Sequence, residues 1–135
     1  MIYAVIDTNV LVSALLTSNL EAATVKVLEA LQYKKITPLY NDEIINEYVK
    51  VLRRPKFKFS KEIVEFYVRA IKENGIETSR ITSNEFFPDP DDAVFYEVAL
   101  SKEDAYVVTG NTKHFPKTPI VVTPAQMLEI LQAQG

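Results

Sequence analysis

No cysteine occurs among the 135 residues. That excludes disulfides, thiolate metal sites and cysteine nucleophiles, and it fits a reducing cytoplasm. Glycine is scarce, at three residues, so long flexible linkers are not expected. No run approaches the ~20 apolar residues of a membrane span. The opening MIYAVID has neither the basic segment nor the long apolar stretch of a secretion signal. The expectation is a cytoplasmic protein with no membrane contact. No GxGxxG or GxxxxGK[ST] appears, so dinucleotide and P-loop readings have no support. An excess of positive charge is also missing: the net charge is −3 and the pI about 5.2. Any contact with a polyanion must therefore come from a local patch.

What is present is an ordinary globular balance, 47% hydrophobic and 24% charged, in a length that suits one domain over residues 1–135. Short apolar runs alternate with helical stripes. Residues 2–6 read as a buried strand, and 8–16 and 20–33 carry apolar residues at helical spacing. Residues 36–40 form a second strand candidate, weakened by Pro38. Asn41 suits the N-cap of a helix that runs to about Arg54 and stops before Pro55. Ser60 caps a helix over 61–73 that Asn74-Gly75 ends. Residues 76–81 are a weak strand. A helix opens at 89–92 and reaches about Lys102. Strands at 105–109 and 120–123 follow, with a last helix over 124–132. Five strands separated by helices of this length predict an α/β fold with a mostly parallel sheet. In such sheets ligands bind beyond the carboxyl ends of the strands.

Several polar residues stand where that rule looks. Asp7 ends the first strand, although it also suits a helix N-cap. Glu47 lies on the margin of the apolar stripe of the 41–54 helix. A carboxylate there needs compensation, either by a cation or by a salt bridge such as one to Arg54. Asp89, Asp91 and Asp92 crowd one helix start. They suit a cap and the helix dipole, yet three carboxylates in four residues repel one another unless a cation binds. Periodicity does not separate Asp91 from Asp92. Asn111 ends the 105–109 strand, where an ordinary turn residue would also stand. His114 is the only histidine, which excludes a two-histidine acid/base site; it reads as an exposed loop residue. Lys50, Arg53, Arg54, Lys56, Lys58 and Lys61 make a basic segment. It reads as a solvated helix end, but Phe57 and Phe59 interleave with the charges as in base-stacking surfaces.

Four segments carry a family likeness. IDTNVLVSALL at 6–16, NEYVKVLRRPKF at 46–57, DPDDAVFYEVAL at 89–100 and YVVTGNTKHF at 106–115 resemble the PIN-domain family. Within it they look closest to the VapC-like toxins of toxin–antitoxin pairs. The resemblance implies a Rossmann-like three-layer α/β/α fold with a central sheet of about five strands. It implies cleavage of RNA phosphodiester bonds with Mg²⁺ or Mn²⁺. On this likeness Asp7, Glu47, Asp92 and Asn111 match the four catalytic positions. Asp7, Glu47 and Asp92, with Asp89 as an addition, would hold metal, and Asn9 would support Asp7 or a water. The fourth position is often Asp, so Asn111 removes a charge and weakens the case for a second metal.

The leading expectation is thus a metal-dependent endoribonuclease toxin, with Arg53, Arg54, Lys56 and Lys58 on the phosphates of RNA. A cognate antitoxin protein and a homodimer built on the stripes of 8–16 and 20–33 are the partners it implies, although both stripes also suit packing on the sheet. The alternative is a non-catalytic PIN-like module that binds RNA or protein. An aspartate-nucleophile phosphohydrolase is a third reading, but DTN lacks the second Asp that such chemistry uses as general acid.

Overall fold

A computed structural model describes residues 1–134. Five strands and six helices alternate: β1 (Ile2–Ile6), α1 (Thr8–Leu16), α2 (Ala23–Gln32), β2 (Ile36–Tyr40), α3 (Asp42–Leu52), α4 (Lys61–Asn74), β3 (Ile76–Glu77), α5 (Ala93–Leu100), β4 (Tyr106–Val108), β5 (Val121–Val122) and α6 (Pro124–Gln134). Every strand pair is parallel, in the order β3-β2-β1-β4-β5. The result is a three-layer α/β/α architecture, with the sheet wholly rather than mostly parallel. Its central strands are buried on both faces, as the unbroken apolar runs of β1 and β4 require.

The chain steps outward from β1 to β2 and β3, then returns to the far side of β1 for β4 and β5. The order therefore reverses between β1 and β4. That gap is the topological switch point, where a crevice opens beyond the strand ends. The register fixes its walls: Ile6 pairs with Val108, and the Asp7 N–H donates to the Val108 carbonyl at 2.9 Å. Asp7 and Thr109 thus leave the sheet side by side.

Capping chemistry sets the helices as expected. The Asn41 side chain accepts the Ile44 N–H at 2.8 Å, and Ser60 accepts that of Ile63 at 3.2 Å. Tyr48 and Leu52, on the inner stripe of α3, are buried, and the Tyr48 hydroxyl donates to the Ile6 carbonyl. α3 is thereby tied to the end of β1. Val10 and Leu11 of α1 and Val27, Ala30 and Leu31 of α2 are likewise buried within the chain, while Leu16 and Leu20 are left exposed.

The strand expected over 36–40 forms, and two other local expectations change. Pro38 is tolerated inside β2 because β3 pairs only with Leu39 and Tyr40, so the sheet has no strand partner at the proline level on that side. Gly75 ends α4 without a left-handed turn, at φ −109°. It is needed for space instead. An added Cβ would lie 2.6 Å from the Ile71 carbonyl oxygen and closer still to that of Pro38. Both obstacles are backbone, so Gly75→Ala should destabilise the protein by about 2 kcal/mol, as overpacking does; a denaturant midpoint equal to that of the unaltered chain would contradict this. Finally, the strand expected over 76–81 shrinks to Ile76–Glu77, and residues 78–87 have no regular structure. Side chains hold that segment. Arg80 ion-pairs with Glu97 and Glu43, and the Ser83 N–H donates to Glu97 at 2.7 Å.

Candidate active site

Asp7 stands at the switch point and is only 6% exposed. Its side chain makes no capping bond to α1, although its position is the N-cap. The carboxylate turns instead to Thr109, whose hydroxyl donates to Oδ2 at 2.7 Å. The Thr8 hydroxyl, next in sequence, is buried with no partner. Thr109 also accepts the Asn111 N–H at 3.0 Å, which fixes the turn after β4. Asn9 does not reach Asp7. Its side-chain oxygen accepts the Gly110 N–H at 3.3 Å and so joins the start of α1 to the same turn.

The turn Thr112–His114 is a 3-10 helix preceded by Asn111. Positions three apart eclipse in that geometry, which brings His114 over Asn111, with their nitrogens 3.2 Å apart. The imidazole Nδ1 is also 3.4 Å from Oδ2 of Asp92. His114 is therefore not the free loop residue expected from sequence. It joins the β4 turn to the start of α5. Thr109 was likewise legible only as a strand end. The N-x-x-H spacing and the last residue of a buried strand were the signals available for the two.

The Asp89–Asp92 cluster divides by role. Asp89 caps, accepting the Asp91 N–H at 3.0 Å, and Asp91 faces solvent. Asp92 is half-buried and turned to His114. Glu47 is half-buried on α3 and forms no ion pair among the described residues, so the bridge to Arg54 is not made. The basic segment follows Glu47 in the chain, at the carboxyl end of α3 and in the turn after it.

Charge is poorly compensated here. Burial raises the Asp7 carboxyl above its ordinary value and the charge of Glu47 adds to this; the hydrogen bonds from Thr109 and the Thr8 backbone and the charge of His114 only partly oppose it. Burial, then Asp7, then Asp89 push Asp92 up to about 6, against the influence of His114. Glu47 thus acts on Asp7, and Asp89 on Asp92, through space. Among the described residues, no three His, Cys, Asp or Glu side chains form a ready metal cage. The donor set nonetheless fits a hard divalent cation of the Mg²⁺ kind, which is held by one or two carboxylates and completed by water and substrate phosphate.

The raised values carry a stability consequence. A carboxyl raised in the folded state contributes stability that is complete below its unfolded value, near 3.8, and lost as pH rises through the folded value. In EDTA, the melting temperature should therefore fall as pH rises toward and past about 6. Added Mg²⁺ should reverse the fall, because it binds the ionised form. A melting curve flat across that range, with and without the cation, would contradict the arrangement.

Two comparisons bear on this geometry. Among curated proteins, none matches the chain. The family model described as PIN domain matches residues 3–113, a span that holds Asp7, Glu47, Asp92 and Asn111. PIN domains are generally nucleases and act on nucleic acid. With an all-parallel β3-β2-β1-β4-β5 sheet and acidic side chains at its switch point, this chain belongs to the PIN-domain family.

Proposed function

We propose that the chain is a divalent-metal-dependent endoribonuclease that hydrolyses RNA phosphodiester bonds, and that it serves as the toxin of a toxin–antitoxin pair in the cytoplasm. One observation carries the catalytic reading: Asp7 and Asp92 oppose each other at the switch point, and among the described residues no lysine or arginine pairs with either. Carboxylates held against ionisation by burial and a neighbouring like charge are candidates for a functional site.

In this reading Asp7 and Asp92 hold Mg²⁺ or Mn²⁺, with the charges of Glu47 and Asp89 adding to the attraction. When bound, such a cation lowers the pKa of water, orients the phosphate and neutralises the charge that develops on it. The chain's own groups do the rest. Thr109 fixes the Asp7 carboxylate, and Asn9 fixes the turn that carries Thr109. Asn111 and His114 offer neutral or cationic donors beside the carboxylates, where a phosphate oxygen would need them. Arg53, Arg54, Lys56 and Lys58 contact phosphates further along the strand, adding affinity without reading sequence.

The test is cleavage of RNA by purified protein with Mg²⁺ or Mn²⁺, in the presence and absence of EDTA. Cleavage that needs the cation supports the assignment. RNA binding that persists in EDTA, with no turnover under any condition, would instead favour the non-catalytic module, for which Asn111 in place of an acid is the motive. The toxin role adds two partners: an antitoxin that occludes the acidic crevice, and a second copy of the chain meeting the exposed Leu16 and Leu20. Growth arrest on expression, relieved by the product of a neighbouring reading frame, would support that role.

A further inference from the structure

Beyond the acidic crevice, the segment after α3 carries an arrangement with no structural need for all its parts. Phe59 packs against the hydrophobic core. Phe57 stacks on Phe59, ring centres 5.6 Å apart and planes 19° from parallel. Lys58, left-handed at φ 58°, closes the 3-10 turn Pro55–Phe57 between them. The exposed Lys56 lays its ammonium over the half-buried Phe57 ring, 5.1 Å from its centre, so a base would take the place of that cation on the ring. Arg53, Arg54, Lys56 and Lys58 are exposed, and none of them forms an ion pair among the described residues.

The rigid ring pair and the unpaired cations have different uses. Cations follow a phosphate backbone whether it is single- or double-stranded. An aromatic face adds affinity only for a base that has left its stack, since paired bases present edges and not faces. Phe57 is backed by Phe59 and its ring needs no ordering on contact. Arg53 follows Glu47 by six residues, about 9 Å along α3 at a helical rise. A strand that runs from the carboxylates along α3 would meet the aromatic pair just beyond that helix end.

We propose that Phe57, supported by Phe59, is a stacking platform for one unpaired base of the bound strand. This rests on the nuclease reading for its substrate, but its test does not use turnover. The chain contains no tryptophan, so Phe57→Trp places a single indole on the platform. In EDTA, a short RNA of mixed sequence should quench that fluorescence when single-stranded, and not when annealed to its complement. Phe57→Leu keeps an apolar side chain without a π face; it should bind the single strand about tenfold more weakly and the duplex unchanged. Thermal melts matching the unaltered protein would show that both variants fold. Unchanged single-strand affinity in Phe57→Leu, or equal quenching by duplex, would overturn the platform. Cleavage by the unaltered protein is measured alongside. Cleavage without quenching removes the platform and keeps the nuclease; quenching without cleavage does the reverse.

Discussion

Asp7→Asn should lower RNA cleavage by roughly three orders of magnitude, the scale of removing a principal charge-stabilising group, and should raise the melting temperature of the metal-free protein. Both effects have one cause. The Asp7 carboxylate is buried, and a single hydroxyl, that of Thr109, is its close side-chain partner. Burial makes its ionised form unfavourable, and the neighbouring charge of Glu47 makes it more so. Asparagine keeps the shape and an oxygen for Thr109 to bond, but it carries no charge. The folded chain thus loses a liability and the site loses its cation. Such opposition between stability and activity is common where a site is built from strained charge. The two measurements are single-turnover cleavage with Mn²⁺ and a thermal melt in EDTA. A variant that cleaves at the original rate would remove Asp7 from catalysis, and with it the assignment of the crevice. A variant that melts lower would mean that Asp7 is a structural acid with compensation elsewhere.

Arg80→Met should destabilise the protein by about 2–3 kcal/mol, just under the ~3–5 kcal/mol of breaking a fully buried pair. The melting temperature should then drop on the order of 10 °C. Glu97 is the reason. Its side chain is 7% exposed, and Arg80 answers it while remaining 35% exposed itself. Burial works against ionisation of Glu97, but the Ser83 N–H and the Arg80 hydrogen bond and charge outweigh it, so the carboxyl titrates below its ordinary value. Without Arg80 a carboxylate would be left in the interior with one backbone donor. The exposure of Arg80 screens its half of the pair and sets the figure below that of a fully buried pair. The second partner, Glu43, lies 2.7 Å from the guanidinium but is mostly exposed, so Glu43→Gln should cost little.

Two controls separate charge from packing. Combining Arg80→Met with Glu97→Met should recover most of the loss, because it removes the orphaned charge as well as its partner. The pH dependence should also change sign at this position. A lowered carboxyl contributes stability that is present above its unfolded value and lost as pH falls through the folded one. The unaltered protein therefore weakens at the acid end through Glu97. In Arg80→Met burial prevails, and acid should relieve the destabilisation. Equal loss at all pH values would show that Arg80 acts through its stem alone.

The α/β plan was legible because its signals are local. The apolar runs at 2–6 and 105–109 are long enough to mark buried strands, and the caps at Asn41 and Ser60 bond where their spacing says they should. Boundaries moved where a partner outside the segment decided them. The Thr78 N–H still bonds to Tyr40 of β2, but beyond it Arg80 and Ser83 bond to Glu97, fourteen and more positions away, instead of to a neighbouring strand. Neither Glu97 nor Arg80 announces that pairing in sequence. Glu97 sits inside an apolar helix and reads as its solvent face, yet that face is covered by the segment itself.

The candidate site divides in the same way. Chain order alone placed Asp7 and Asn111 near strand ends, because Asp7 directly follows one apolar run and Asn111 stands just beyond another, and the order of the four motifs pointed to the PIN-domain family. Periodicity did not choose between Asp91 and Asp92, adjacent and alike in local signal; the family likeness chose Asp92, but neither recruited Thr109 and His114. Those two came from the parallel pairing of β1 with β4, which sets Thr109 beside Asp7, and from the 3-10 turn that carries His114 over Asn111 and onto Asp92. Periodicity reports which face of an element is dry. Which polar groups meet across that face depends on register and on turns closed by residues about a hundred positions apart, and only the folded chain brings them together.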